Sequence, residues 1–286
     1  MPPSQTEVVT DTTSKEYKMG TRGSHNIAKG LPHPYPVPTF ARKEDERKWA
    51  KQHMAAAFRV FARKGFTEGT AGHISLRDPV DPTTFWLNPL AKHFALIKAS
   101  DLVHVDEEGN VLPDGPQSAV NAAGFAIHAA VHKYRPDVNA ACHTHSVYGK
   151  TYSALGRPLD MINQDVCMFY KSHGVYTDFG VLLLRSKKVK ISPMPWVTVR
   201  ESFCRTMDFS SLARQWMRPL TCFVSWRSCQ CQLMAEAALR PGEKLKVIGD
   251  KVAAYTEHMT ADPETLYTEF QPDFEMELKY DGDFMS

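Results

Sequence analysis

Residues 121–146, "NAAGFAIHAAVHKYRPDVNAACHTHS", constrain the fold more than any other stretch of this chain. The alanine-rich first part has apolar residues at helical spacing up to Pro136, which has no amide hydrogen to give and halts a helix there. "VNAACHTHS" follows at once and reads as a buried strand that ends in polar residues. Other segments repeat this mixture. In "RKEDERKWAKQHMAAAFRVFARKG" Trp49, Met54, Phe58 and Phe61 recur near helical spacing, and Gly65 is a natural stop. "GHISLRDP", "TFWLNPL" and "DLVHVDEEGNVLPDG" are short apolar runs between turn residues, and read as strands with "DEEGN" as a hairpin turn. Helices and strands mixed in this way predict an α/β or α+β chain built in layers, without an internal repeat.

The strand end His143-Thr144-His145 carries the chemistry. Residues i and i+2 of an extended segment point to the same side, so His143 and His145 can offer two imidazoles to one metal ion. A catalytic site of this kind needs a third donor from elsewhere and an open position for water or substrate. Two histidines hydrogen-bonded in a loop are the alternative. The apolar strand that delivers the pair straight into a polar turn favours the metal. His128 and His132 share a helix face but sit among alanines, so they read as a packed or surface pair rather than ligands. His173 reads as a solvated loop histidine.

Charge excludes other classes. With 34 basic and 32 acidic residues the formal charge is +2, and no run of like charge would gather nucleic acid or an anionic membrane. The first residues lack the apolar core of a signal peptide and no later run reaches membrane-span length, which makes the cytoplasm the expected location. The six cysteines show no paired CxxC spacing, and all six are expected to be reduced thiols. Residues 1–44 are polar and proline-rich, the expectation being a disordered or loosely attached arm; residues 45–260 form the folded domain. Residues 261–286 are expected to be a short helix and an acidic extended tail packed on the surface or on a neighbouring subunit.

Taken in order, "GTAGHISLR", "FWLNPLAKHF", "DLVHVDEEGNVL", "FAIHAAVHKYRPDVNAACHTHS" and "DFGVLLL" resemble the class II aldolase and adducin head-domain family. The resemblance runs from about Trp49 to Leu184 and resumes at "CQCQLMAEAAL" and "DPETLYTEFQPDFEMEL". It implies one α/β domain of three layers, αβα, with a central largely antiparallel sheet, assembled as a homo-oligomer with the site near a subunit boundary. It also implies a small-molecule substrate and a divalent metal, usually zinc, that holds an enediolate during carbon-carbon cleavage. His143 and His145 match the first two metal ligands of the pattern, and Gly72, His73 and Ser75 match the loop that grips the substrate.

Three departures qualify that expectation. Gly124, preceded by Ala123, stands where the enzymes carry an acid/base glutamate, and neither residue can move a proton. His73 and Ala91 replace the asparagine and glycine of the phosphate-gripping loops, which argues against a sugar phosphate. The Asn-His-Gly triplet that supplies the third metal ligand is absent, so the ligand set is incomplete. The expected function is a metal-dependent lyase, an aldolase or decarboxylase on a small oxygenated carbonyl compound. The alternative is a non-catalytic adducin-like module for self-association or cytoskeletal binding.

The missing triplet belongs near "ESFCRTMDFSSL", residues 201–212, a stretch with neither strand alternation nor helix caps. Read one base out of register, residues 193–228 regain the family pattern. Met and Trp have single codons, so four recoded positions are forced: alanine at Pro195, glycine at Val197, glycine at Asp208 and aspartate at Met217. All four fit. Permitted synonymous codons give "AHALGDGK" for 193–200, "QNHGLL" for 205–210 and "TVDEAAYLFxLLEK" for 215–228, a strand, the lost histidine and an amphipathic helix. The expectation is that residues 185–228 come from an unremoved or misjudged intron or a base miscount, and that as they stand they disrupt the domain.

Overall fold

The computed structural model describes residues 6–9, 17–176, 201–204, 207–213 and 219–286. "DFGVLLL" and the recoded residues 193–200, 205–206 and 214–218 lie outside them. Strands β1 (Thr6–Val9), β2 (His73–Arg77), β3 (Phe85–Leu87), β4 (Val103–Val105), β5 (Ala140–His143), β6 (His173–Tyr176), β7 (Glu201–Cys204), β8 (Met207–Ala213) and β9 (Leu245–Ile248) alternate with seven α-helices. These are α1 (Lys43–Arg63), α2 (Ala122–Tyr134), α3 (Val147–Ser153), α4 (Gln164–Cys167), α5 (Pro219–Ala237), α6 (Asp250–Thr260) and α7 (Pro263–Asp281). The described strands build a seven-stranded sheet in the order β4-β3-β2-β5-β8-β7-β6, and β1 pairs with β9. Every neighbour in the large sheet is antiparallel except β6 and β7. The chain is therefore the α/β, largely antiparallel architecture that its motifs imply.

Strand alternation sorts residues to two faces. Ile74 and Leu76 of β2, Trp86 of β3 and Ala140 and Cys142 of β5 join one core with Phe58 and Phe61 of α1, Trp226 of α5 and Phe270 of α7. Phe85 and Leu87 of β3 and Val103 and Val105 of β4 meet Phe125 and Ala129 of α2 on the other side, while Ala141 of β5 packs with Ala130 and Val131 of α2. The layers are thus α1/α5/α7, sheet, and α2. Helix α1 starts with Glu44, Asp45 and Glu46, whose charges suit the positive end of the helix dipole. Phe58 is fully buried edge-on to Phe94, with ring centroids 4.7 Å apart.

Several expectations change here. "ESFC" and "MDFSSLA" from the stretch that matched no element form β7 and β8, and β8 runs beside β5 with Ser210 opposite His143. Pro219 begins α5, because the first helical residue needs no amide hydrogen bond. The C-terminal segment is helical through Asp281 and not an extended tail. Asp262 caps α7, Leu266, Phe270 and Phe274 recur every four residues and are buried, and Phe284 closes the core behind them. Residues 17–42 have little regular structure yet are fastened to the helices: Arg22 pairs with Glu257 at 3.0 Å, and Ser24 donates to Glu264 at 2.5 Å.

Cys142 is disulfide-bonded, against the expectation of six reduced thiols, whereas Cys167, Cys229 and Cys231 are free. Spacing along a chain cannot report the proximity in space on which a disulfide depends. His173 is not a solvated loop residue. It opens β6 half-buried, its Nδ1 on Phe169 O at 2.8 Å and its Nε2 accepting the Leu159 amide at 3.1 Å.

Candidate functional site

Residues i, i+2 and i+4 of β2 are His73, Ser75 and Arg77, and the same alternation that buries Ile74 and Leu76 toward α1 turns these three toward α2. Strand β5 pairs antiparallel with β2, setting His143 opposite His73 and Ala141 opposite Ser75. Helix α2, capped by the Asn121 side chain on the Ala123 and Gly124 amides, lays His128 and His132 one turn apart over this face. Three elements thereby bring six polar side chains together inside the protein.

His73, His128 and His143 are all buried, and each offers a ring nitrogen within 4.8 Å of the others. Nε2 of His128 lies 3.2 Å from Nδ1 of His143, and Nε2 of His143 lies 3.5 Å from Nδ1 of His73. The Ser75 hydroxyl sits between the two α2 histidines, 2.6 Å from Nδ1 of His128 and 2.8 Å from Nε2 of His132. Burial keeps all four rings neutral: it lowers His73 to about 4 and His132 to about 3, and drives His128 and His143 well below the ordinary value.

The expected site residues separate in this geometry. His143 is central and His73 joins it. His145 stands at the half-exposed edge, its ring centroid 5.7 Å from that of His143 and its Nδ1 3.9 Å from a Glu68 carboxylate that Lys150 holds at 2.8 Å. Ser75, expected at the substrate, is fully buried with its hydroxyl committed to His128 and His132. Gly72 has φ +92°, and a Cβ there would come within 2.9 Å of the Phe94 ring, so the position demands glycine for backbone reasons. His128 is packed, as its alanine neighbours suggested, but packed into the histidine cluster. The signal that could have found it is the coincidence of His-x-Ser-x-Arg on a strand with His-x-x-x-His on the covering helix.

Gly124 explains two departures at once. A Cβ on Gly124 would lie 2.5 Å from Cε1 and 2.6 Å from both nitrogens of His73. The imidazole at 73 fills the volume that any side chain at 124 would need.

The cluster fits a divalent cation by its chemistry. Neutral imidazoles are ligands for zinc and its neighbours, and Nε2 of His73 is buried with no hydrogen-bond partner among the described residues. Orphaned buried nitrogens are uncommon and often mark a place for an ion or water.

Residues 52–192 match the family described as Class II Aldolase and Adducin N-terminal domain. The chain is 40% identical over 247 residues to the meiotically up-regulated gene 14 protein of Schizosaccharomyces pombe, covering 85% of this chain and 94% of that one. It is 36% identical over 261 residues to decarboxylase NovR of Streptomyces niveus, covering 86% and 90%. A solved L-fuculose 1-phosphate aldolase from Glaciozyma antarctica PI12 superposes with TM-score 0.77 at 33% identity, over 87% of this chain and 96% of that one. The chain belongs to the class II aldolase and adducin N-terminal domain family.

Proposed function

We propose that the protein is a divalent-metal-dependent lyase that makes or breaks a carbon-carbon bond in a small oxygenated carbonyl compound, as an aldolase or a decarboxylase. The observation that carries this reading is the buried cluster of His73, His128 and His143 with His145 at its edge. His143 and His145 are the ligands we assign, with His73 and His128 as the further nitrogen donors. A bound cation, with zinc the first choice, supplies Lewis-acid stabilisation of negative charge on a substrate oxygen. The protein's share is to hold the rings in place through β2, β5 and α2 and to keep bulk water from them. The similarity to a decarboxylase and an aldolase supports the lyase class. Ser75 being occupied, and His73 and Ala91 standing where a phosphate loop would differ, favour a substrate without a phosphate. Gly72 and His73, where β2 begins, remain the residues we place nearest to it.

Residues 193–228 enter the same proposal. The family match ends at residue 192, immediately before the recoded segment, which supports a break in reading frame there. Transcript and genomic sequence compared across codons 185–228 decide the matter, and an uninterrupted transcript encoding these residues defeats it. Metal analysis tests the site itself: the frame-restored chain is expected to bind divalent metal stoichiometrically and His143→Ala to lose it. Unchanged metal content in His143→Ala sinks the assignment. We place the protein in the cytoplasm as a homo-oligomer, to be checked by fractionation and light scattering; no helix of the described residues is long and apolar enough to cross a membrane.

One observation favours a second reading. With His73 in place no acid side chain fits at position 124, which suits a non-catalytic adducin-like module for self-association or cytoskeletal contact. Turnover of hydroxy-carbonyl compounds by metal-loaded protein excludes it.

A further inference from the structure

His145 differs from the other histidines of the site. His73, His128 and His143 are buried against one another, whereas His145 is half-exposed and neither of its ring nitrogens makes a hydrogen bond among the described residues. Its Nδ1 faces Oε2 of Glu68 at 3.9 Å, beyond hydrogen-bond length. Lys150 holds that carboxylate instead, with Nζ 2.9 Å from Oε1 and 2.8 Å from Oε2. Backbone fixes both partners. Glu68 opens a turn that the Ala71 amide closes on its carbonyl at 2.9 Å, with Gly69 at φ +55°, and the chain then enters Gly72 and His73. Lys150 lies in α3, which starts directly after His145 with the Ser146 hydroxyl accepting the Gly149 amide at 3.0 Å. The loop before β2 and the helix after β5 are thus joined beside His145.

We propose that Glu68 is a positioning residue for His145, accepting a hydrogen bond from its Nδ1 when Nε2 coordinates a cation, and that Lys150 competes for the same carboxylate. The inference rests on the metal reading above. A neutral imidazole has one proton, so committing Nε2 to a cation places that proton on Nδ1, the nitrogen that faces Glu68. A ligand histidine almost always gives its second N–H to a carboxylate, carbonyl or water, and the bond fixes the ring and strengthens it as a ligand. His143 already has neighbours for both nitrogens, His128 at 3.2 Å and His73 at 3.5 Å, and His145 has none. The Glu68 carboxylate must move about 1 Å to reach the length of a charge-assisted hydrogen bond. Such bonds are often long before a site is filled and tighten once it is. What opposes the move is weak, because Glu68 and Lys150 are 53% and 41% exposed and an exposed ion pair holds loosely.

Zinc affinity, measured by competition with a chelator, tests the assignment in the full chain and, should that chain take up no zinc, in the chain recoded over 193–228. Both side chains are exposed, so their substitution opens no cavity in the core. Glu68→Ala is expected to weaken zinc binding about 10-fold, the scale of losing a partner that supports a ligand. Lys150→Met is expected to bind zinc at least as tightly as the unaltered chain, because it frees the carboxylate and removes a like charge. Equal weakening by the two substitutions would show that the ion pair only clamps the loop to α3, and overturns the proposal. The double variant Glu68→Ala/Lys150→Met restores the net charge without restoring the acceptor, and is expected to stay about as weak as Glu68→Ala alone. Recovery of the unaltered affinity in the double variant means that charge alone acts, and overturns the proposal too. Unchanged affinity in Glu68→Ala defeats the role of Glu68 and leaves the metal reading standing, whereas zinc uptake by neither chain removes both.

Discussion

The two sides of β5 are unequal. On the β2 side strand register, alternation and the spacing of α2 converge, so His143 meets His73 across the ladder and His128 from above. On the β8 side the ladder also closes, residue for residue, but Ser210 and Ser211 stand opposite His143 and Cys142. Backbone pairing asks only for extended chain with free amides and carbonyls, which almost any sequence offers. A catalytic residue asks for one side chain at one position. A strand can therefore fill its place in a sheet whatever its side chains bring to a site.

The strongest way to break this comparison is to recode residues 193–228 one base out of register. The β8 side should then match the β2 side in quality, with a gain of about 3–5 kcal/mol in unfolding free energy by denaturant titration, the scale of a buried charge left without its partner. Equal stability of both chains would mean that the present segment packs as well as the recoded one. On the β2 side, His143→Ala should weaken zinc binding at least about 100-fold in equilibrium dialysis, because it removes the ring shared by the whole cluster. Gly124→Ala should cost about 1–3 kcal/mol by overpacking against His73, and the cost should largely vanish in a His73→Ala background. Additive effects of the two changes would show that the ring yields freely.

The smallest effect is a pH dependence. His53 and His132 are lowered by burial to about 4 and about 3, against an ordinary 6.5. The unfolded chain binds their protons more readily, so their stabilisation is complete above pH 6.5 and is lost as pH falls toward 4. His104 works in the opposite sense. Burial opposes its charge, but the Asp78 and Asp114 carboxylates raise it, so its contribution is present in acid and lost as pH rises through its folded value. Thermal melts from pH 7 to 4 should fall by a few degrees, and more steeply in His104→Gln.

What the sequence made legible follows the same division. Helix α1, the turn at Pro136 and the His-Thr-His strand end were readable because periodicity and proline act locally. His128 and Ser75 were assigned to other roles because their meaning depends on which helix covers which strand face, and nothing local reports that. The C-terminal helix was hidden by Pro272, an interior proline that usually ends a helix, which α7 tolerates with Phe270 and Phe274 packed on α1. The strand at 207–213 was illegible for another reason: its pairing is supplied by the neighbouring strands.

The contact between Gly124 and His73 has a historical consequence. Two positions that compete for one volume cannot be exchanged in either order at equal cost. A chain with a large side chain at 124 must shed it before the imidazole at 73 can enter, and a chain like this one must shrink His73 before a large side chain can enter at 124. Each route passes through an intermediate with a void beside His143. Sequences on either side of that void are separate neighbourhoods, joined by a narrow path through a destabilised protein.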